Sequence, residues 1–393
     1  MTAACLLVAI RVGVPSGAHA QARVEFIPSM TLFSVYDDNI FARVKGSAGQ
    51  MQQMRPSFEG SYESPTVTLL SLYSFDMQRS NFSTLNTLDA RRHALGEARV
   101  RTSPVTTLGL TMGYDRSQTP GDIDAATGVL GERRLAQRLQ LAPTMARRLG
   151  TRTTMTAGYD WATENLVDGE RGTLHTGRTS LSRQTSTQTT LSATYVGRVF
   201  VNDIANYTSH AVLVGWERAM APGTRLSVSA GPKITSYRGI RPDVAATLAR
   251  ATPHVRLALD YWYGETLVLG IRGPVNVNSL NGRATWPVTR RIEIGTSTGV
   301  SDVSTIDSRD STIYRGTLTG SWSPGGLYTF AASYGLDLQQ GTLRDRPALL
   351  DGSVSLGDRT LRQVIRVSVT IAPRYSRSIL PPDEAARAKG VSR

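Results

Sequence analysis

From Leu88 to Thr102 the chain alternates strictly between two faces. One carries Leu88, Ala90, Arg92, Ala94, Gly96, Ala98, Val100 and Thr102; the other carries Asp89, Arg91, His93, Leu95, Glu97, Arg99 and Arg101. A side-chain period of two belongs to a strand with one apolar and one charged face, and no amphipathic helix produces it. Residues 224–237 repeat the pattern, with Leu226, Val228, Ala230 and Ile234 against Arg225, Ser227, Ser229, Lys233 and Thr235. Near the C-terminus Leu361, Ile365, Val367, Val369 and Ile371 alternate with Arg362, Arg366, Ser368 and Thr370.

Two kinds of connection separate such stretches, in turn. Short ones are expected at Ser64-Pro65, Ser103-Pro104, Leu149-Gly150, Ser186-Thr187, Ala221-Pro222-Gly223, Gly264-Glu265, Pro287-Val288 and Ser323-Pro324-Gly325-Gly326. Longer polar loops are expected at 40–52, 78–87, 118–132, 238–250 and 340–357. Short turns at one end and long loops at the other describe an outer-membrane barrel. The sequence therefore predicts an all-β fold: a transmembrane antiparallel up-and-down β-barrel of about 18 strands, or about 16 if the weak segment 266–290 holds fewer. A soluble β-sandwich also alternates, but these strands run to roughly 10–14 residues where globular ones average five or six. Aromatic residues reinforce the membrane reading. Tyr73, Phe75, Tyr114, Tyr159, Trp161, Tyr195 and Tyr334 are expected near the outer ends. Tyr62, Trp216, Tyr261, Tyr263, Trp322, Tyr328 and Tyr375 are expected near the inner ends. Those are two girdles at the bilayer interfaces.

Composition narrows the classes further. Beyond the N-terminus no run of 18 apolar residues occurs, which excludes membrane-spanning helices. Residues 1–20 read as a secretory signal, with an apolar Ala3–Val14, a small-x-small site at Ala18-His19-Ala20 and a mature start at Gln21. No basic residue precedes the apolar run and Arg11 interrupts it, so the start codon is expected upstream. Cys5 precedes the apolar run, the wrong order for a lipoprotein signal. It is the single cysteine, so disulfides, thiolate metal sites and a cysteine nucleophile fall away together. The barrel is assigned to 21–375 and a polar, Pro-containing periplasmic tail to 376–393.

A formal charge of +13 makes the placement of arginine the main question. No basic cluster or nucleic-acid motif is present, so nucleic acid is not an expected partner. Projecting the polar faces inward lines the interior with Arg91, Arg99, Arg101, Arg134, Arg138, Arg198, Arg256, Arg272, Arg315, Arg362 and Arg366, together with Arg152, Arg225, Lys233 and Arg291. Inward acids are fewer: Asp89, Glu97, Asp115, Asp160, Asp260, Glu293 and Asp337. Rings of Arg or Lys favour anions in pores, whereas arginine–carboxylate ladders brace a wall across strands. For any single arginine, bracing is the simpler role. No cofactor, metal or catalytic residue is expected. Gly295-Thr296-Ser297-Thr298-Gly299 matches G-x-S-x-G but lies within an alternating strand, where the hydrolase elbow needs a strand-to-helix turn. His19, His93, His175, His210 and His254 are scattered. The acidic stretches Asp122-Ile123-Asp124 and Asp302–Asp310 lack the ligand spacing of a calcium loop.

Ser34-Val35-Tyr36-Asp37-Asp38-Asn39-Ile40-Phe41 resembles a signature that opens the barrel in a family of outer-membrane proteins from exopolysaccharide synthesis and export loci. Arg55 to Pro65 and Leu69 to Asp76 resemble that family's next strands. The resemblance implies a bacterial outer-membrane barrel of about 16–18 strands serving as a conduit for a secreted polysaccharide, together with periplasmic export or copolymerase proteins. The inward arginines make an acidic polymer the expected cargo, and a barrel of this kind is expected to meet outer-membrane lipid, lipopolysaccharide and the barrel-assembly machinery. From the residues alone, Asp37, Asp38 and Asn39 favour turning through side-chain hydrogen bonds, a structural job without a ligand. A general or anion-selective diffusion porin, a plugged structural or adhesin barrel, and an outer-membrane hydrolase are the other readings.

Overall fold

The computed structural model describes residues 22–42, 46–118, 129, 134–166, 171–202, 205–268, 271, 273–306, 310–341, 359–373 and 375–379. The strands are β1 (Ala22–Asp37), β2 (Gly49–Glu63), β3 (Val67–Ser80), β4 (Thr87–Ser103), β5 (Thr106–Ser117) and β6 (Ala136–Arg148). They continue as β7 (Thr153–Leu166), β8 (Arg171–Gln184), β9 (Thr189–Asn202), β10 (Asn206–Ala221), β11 (Thr224–Thr235), β12 (Gly239–Ala251) and β13 (Arg256–Thr266). The last are β14 (Val275–Pro287), β15 (Ile292–Ser304), β16 (Asp310–Trp322), β17 (Tyr328–Gly341), β18 (Arg359–Ile371) and the short β19 (Tyr375–Ile379).

Each strand from β1 to β18 pairs antiparallel with the next, and β1 closes the ring against both β18 and β19. Met30 faces Ile371 and Phe26 faces Tyr375, so β18 and β19 follow one another along β1 as one closing strand. Pro373, which has no N–H to give the ladder, stands at their junction. Eighteen strands thus form the wall. Closure leaves the sheet without an open edge, which is what hydrocarbon demands of a spanning sheet. Most outward positions are apolar: Val212, Val214, Ile240, Leu318 and Val367 all stand exposed on the outer face. The chain is a transmembrane β-barrel. Short turns mark the periplasmic end and longer loops the extracellular end.

Proline and glycine set the irregular points. Rungs are missing where Pro56, Pro143 and Pro232 sit mid-strand, as expected for a residue without a donor. Beside Pro232, a Cβ on Gly231 would lie 1.9 Å from the Val212 carbonyl oxygen, so only glycine lets β10 and β11 close up there.

Five expectations need correction. Residues 238–250 are a strand, β12, and Gly264-Glu265 is the extracellular end of β13; the periplasmic turn lies at 252–255. There Thr252 Oγ1 accepts from Val255 N and donates to Val255 O, both at 3.0 Å. Pro242 and Asp243 resemble loop residues, but Pro242 faces Pro232 in the ladder and Asp243 points into the lumen. Tyr261 and Tyr263 consequently leave the periplasmic girdle for the middle and outer part of β13. Asp89 does not face inward, because β4 bulges against β3 between the Asp76–Arg91 and Gln78–Thr87 rungs. Its carboxylate accepts from Arg92 Nε at 2.7 Å and from Arg116 on the outer face. Lastly, Tyr375–Ile379 pairs with β1, so the barrel continues four residues beyond 375. The proposed signal 1–20 and the rest of the tail, 380–393, lie outside the described residues.

Candidate functional site

The lumen divides into two zones by depth. In its extracellular half, inward side chains are buried and acids pair with the bases. Arg362 Nη2 lies 2.8 Å from Asp37 Oδ2, Arg55 Nη2 2.7 Å from Asp76 Oδ2, Arg198 Nη1 3.0 Å from Asp243 Oδ2, and Arg315 Nε 2.8 Å from Asp337 Oδ1. Arg138 meets Glu164 at 3.5 Å, and Arg91 meets Asp115 at 3.6 Å. Lys233 Nζ and the Glu265 carboxylate, both without solvent exposure, stand 3.2 Å apart, though poorly aligned for a hydrogen bond. Tyr237, in the connection after β11, donates its hydroxyl to the same Glu265 oxygen at 2.7 Å. Burial and that bond raise the Tyr237 pKa well above its ordinary value.

Loop residues pack into this half. Val129, from the β5–β6 connection, is buried against Val268, Ile271, Val275, Val277, Val303 and Ile313. Those residues lie on β14–β16 and the β13–β14 connection, seven or eight strands away by either route round the ring. Val129 therefore packs on the wall opposite the strands it connects. Arg238 Nη2, after β11, donates to the Thr305 carbonyl after β15. Tyr207 and Tyr237 meet edge to face at 5.6 Å. A second cluster, Phe33, Val35, Ile40, Met51 and Leu85, ties the β1–β2 and β3–β4 connections together.

The periplasmic half is open and hydroxyl-rich. One rung runs Arg99, Gly109, Thr144, Gly158, Arg178; the next runs Arg101, Thr107, Ala146, Thr156, Ser180, Thr194. At about 4.8 Å per strand, Arg99 and Arg178 flank a stretch of small residues roughly 19 Å wide. Arg99, Arg101, Arg148 and Arg178 are exposed and make no ion pair among the described residues. Arg225–Glu217, Arg256–Glu293 and Arg283–Asp260 are paired at 3.1, 3.7 and 3.2 Å, yet each arginine remains more than three-fifths exposed. Across β1 and β2 the balance reverses, with Arg23 and Glu25 joined by Glu59 and Glu63.

Arg91, Arg99, Arg101, Arg138, Arg198, Arg225, Lys233, Arg256, Arg315, Arg362 and Arg366, read as inward from the sequence, lie on strands at positions that alternate with the exposed apolar ones. Arg366 lies over the Phe33 ring at 5.6 Å. Arg134 precedes β6 in a loop, and Arg152 and Arg291 occupy periplasmic turns. Arg272 lies outside the described residues. Sequence reasoning missed Asp37, Asp76, Glu164, Glu217, Asp243 and Glu265, the acids that neutralise much of the interior. All keep lumen parity or sit at a strand end, and Asp37 was absorbed into a turn motif.

For chemistry, His93 Nδ1 lies 2.7 Å from Asp115 Oδ1. Ser74 stands opposite His93 in the register, but no hydrogen bond joins them, and acyl transfer needs that nucleophile–base contact. Gly295–Gly299 lies inside β15, away from any helix. His175 and His210 bond Tyr159 and Tyr195 on the outer face. Among the described residues no group of His, Cys, Asp and Glu could hold a metal ion. Asp302 sits on β15 and accepts from Thr312 at 2.8 Å; Asp122-Ile123-Asp124 lies outside the described residues.

No protein-family model and no curated protein matches the chain. Similar solved structures include OccAB4 of Acinetobacter baumannii, at 9% identity and TM-score 0.47, covering 90% of this chain and 98% of that one. Pseudomonas aeruginosa OpdK, solved with vanillate, is 10% identical with TM-score 0.47, covering 90% and 99%. The ferric enterobactin receptor PfeA of Pseudomonas aeruginosa is 9% identical with TM-score 0.45, covering 88% and 80%.

Proposed function

We propose that this chain is a porin-like diffusion conduit of the Gram-negative outer membrane with a preference for anionic solutes. The observation that carries the reading is the division of charge by depth. Bases of the extracellular half are held by buried carboxylates, while Arg99, Arg101, Arg148 and Arg178 face the open periplasmic half without acid partners. Fixed guanidinium charges in an aqueous lumen lower the barrier for anions. The surrounding Ser, Thr and Gly residues offer weak, interchangeable hydrogen bonds and no inward aromatic on the Arg99 and Arg101 rungs. Such a surface lets solutes leave as readily as they enter. Planar-bilayer recording under a salt gradient tests it. Conductance with a reversal potential of anionic sign supports the proposal, and a non-conducting or cation-selective barrel ends it.

A second reading is export of an acidic exopolysaccharide, in which the periplasmic arginines would receive the polymer from periplasmic export proteins. It is favoured by the resemblance of Ser34–Phe41 to barrels of exopolysaccharide loci. Loss of surface polysaccharide on deletion, with intracellular precursors retained, would support it; an unchanged capsule would remove it.

A further inference from the structure

We propose that the outer wall across β5–β9 holds one anionic phospholipid of the periplasmic leaflet, its chain in a groove and its phosphate between Arg147 and Arg183. The groove, about 550 Å³, is lined by Leu108, Met145, Ala157, Gly177, Thr179 and Gly197, with Tyr159 and Tyr195 as walls. Alternation places these side chains on the lipid face, together with the exposed Leu108, Tyr159 and Tyr195. The floor is low because Gly177 and Gly197 are neighbours in the ladder, and a Cβ on Gly177 would meet nothing within 4 Å. The two tyrosines are fixed in place, Tyr159 Oη 2.6 Å from His175 Nδ1 and Tyr195 Oη 2.8 Å from His210 Nδ1. Both histidines lie one rung nearer the extracellular end, so the rings lean toward that end, Tyr195 over Gly197, and leave the periplasmic side of the groove clear.

Charge decides the occupant. Arg147 follows Met145 by one outward position and Arg183 follows Thr179 by two, which sets them about 7 and 13 Å along the strands toward the periplasm. Both are exposed on the lipid face and neither makes an ion pair among the described residues. Arg218 and Arg250 take the same place near the periplasmic ends of β10 and β12, extending the row. A guanidinium beside hydrocarbon wants a bidentate oxyanion, and a phosphodiester at the headgroup level supplies one. A lipid of the extracellular leaflet would carry its phosphates at the wrong end of the groove.

The experiment reconstitutes the full barrel with phosphatidylglycerol or phosphatidylcholine and counts retained lipid per chain by native mass spectrometry. The wild type should retain phosphatidylglycerol preferentially. Arg147→Gln with Arg183→Gln should cut that retention by roughly tenfold, the scale of one lost charge-assisted contact. Gly177→Leu, which the open space accommodates, should reduce retention of either lipid while heat-modifiable gel migration stays that of the folded barrel. Equal retention of the two lipids by the wild type, or undiminished retention by the arginine variant, overturns the proposal. So does an oligomer that Gly177→Leu dissociates, because the groove would then be a contact between copies.

Discussion

Arg362 on the last full strand grips Asp37 on the first, Nη2 to Oδ2 at 2.8 Å and Nε to Oδ2 at 3.1 Å, with the Asp37 carboxylate wholly buried. Around this pair the segment Asp37–Ile40 works as a clasp across the seam. Asn39 N donates to Asp37 Oδ1, Asn39 Nδ2 to the Leu361 carbonyl, and Gln363 N to Asp38 Oδ1. Arg362 is therefore a bracing residue of the closure, and the motif that resembles an export-locus signature is accounted for by its own hydrogen bonds.

Removing one partner should be costly. Arg362→Leu leaves a buried carboxylate uncompensated, a loss of about 3–5 kcal/mol for pairs of this kind. Asp37→Asn with Arg362→Gln together should cost less than Arg362→Leu alone, since no unpaired charge remains. The temperature at which the folded gel band converts to the unfolded one measures this. A variant Arg362→Leu that converts at the wild-type temperature would show that the seam is held elsewhere.

Arginines of the open zone should behave in the opposite way. Replacing Arg99, Arg101, Arg148 and Arg178 with Gln should leave the conversion temperature within the small range of surface changes, about 0.5 kcal/mol each. The same variant should move the reversal potential toward zero or past it. Selectivity that follows Arg198 and Arg362, and ignores these four, would place the field in the wrong half of the lumen.

Strand number and most turns were readable because alternation is a local property of the chain. The segment 238–266 was not, since Pro242, Asp243 and Gly264 carry turn chemistry while serving as strand and lumen positions. Asp89 misled for a related reason: a bulge shifts the faces without changing the sequence pattern. Ion-pair partners such as Asp243 for Arg198 stand 45 residues apart on strands three places distant, and nothing local announces them. The inward reach of Val129 was equally silent, because loop composition does not say where a loop packs.

Tyr237 gives a prediction in pH. Its folded pKa is raised above the ordinary value of 10.0, by burial and by the bond to Glu265. The unfolded chain therefore ionises this phenol first, and the native state binds the extra proton. Stability from this residue is complete below pH 10 and declines as pH rises above it. Thermal unfolding followed by circular dichroism from pH 7 to 11 should show the decline, and Tyr237→Phe should flatten it. Identical slopes in the two proteins would mean that the phenol is solvated.

Val129 tests whether the reach across the barrel limits flow. Its side chain is 5% exposed among six aliphatic neighbours on the far wall. An aspartate there would place a carboxylate in apolar surroundings without a partner, at a cost of several kcal/mol. The cheaper outcome is release of residue 129 from the cluster, because the ladder that closes the barrel does not involve it. Val129→Asp should then raise single-channel conductance and the swelling rate of proteoliposomes in sugar solutions, with the conversion temperature of the barrel nearly unchanged. Unaltered conductance in a folded Val129→Asp barrel would mean that this contact does not stand in the path of solutes.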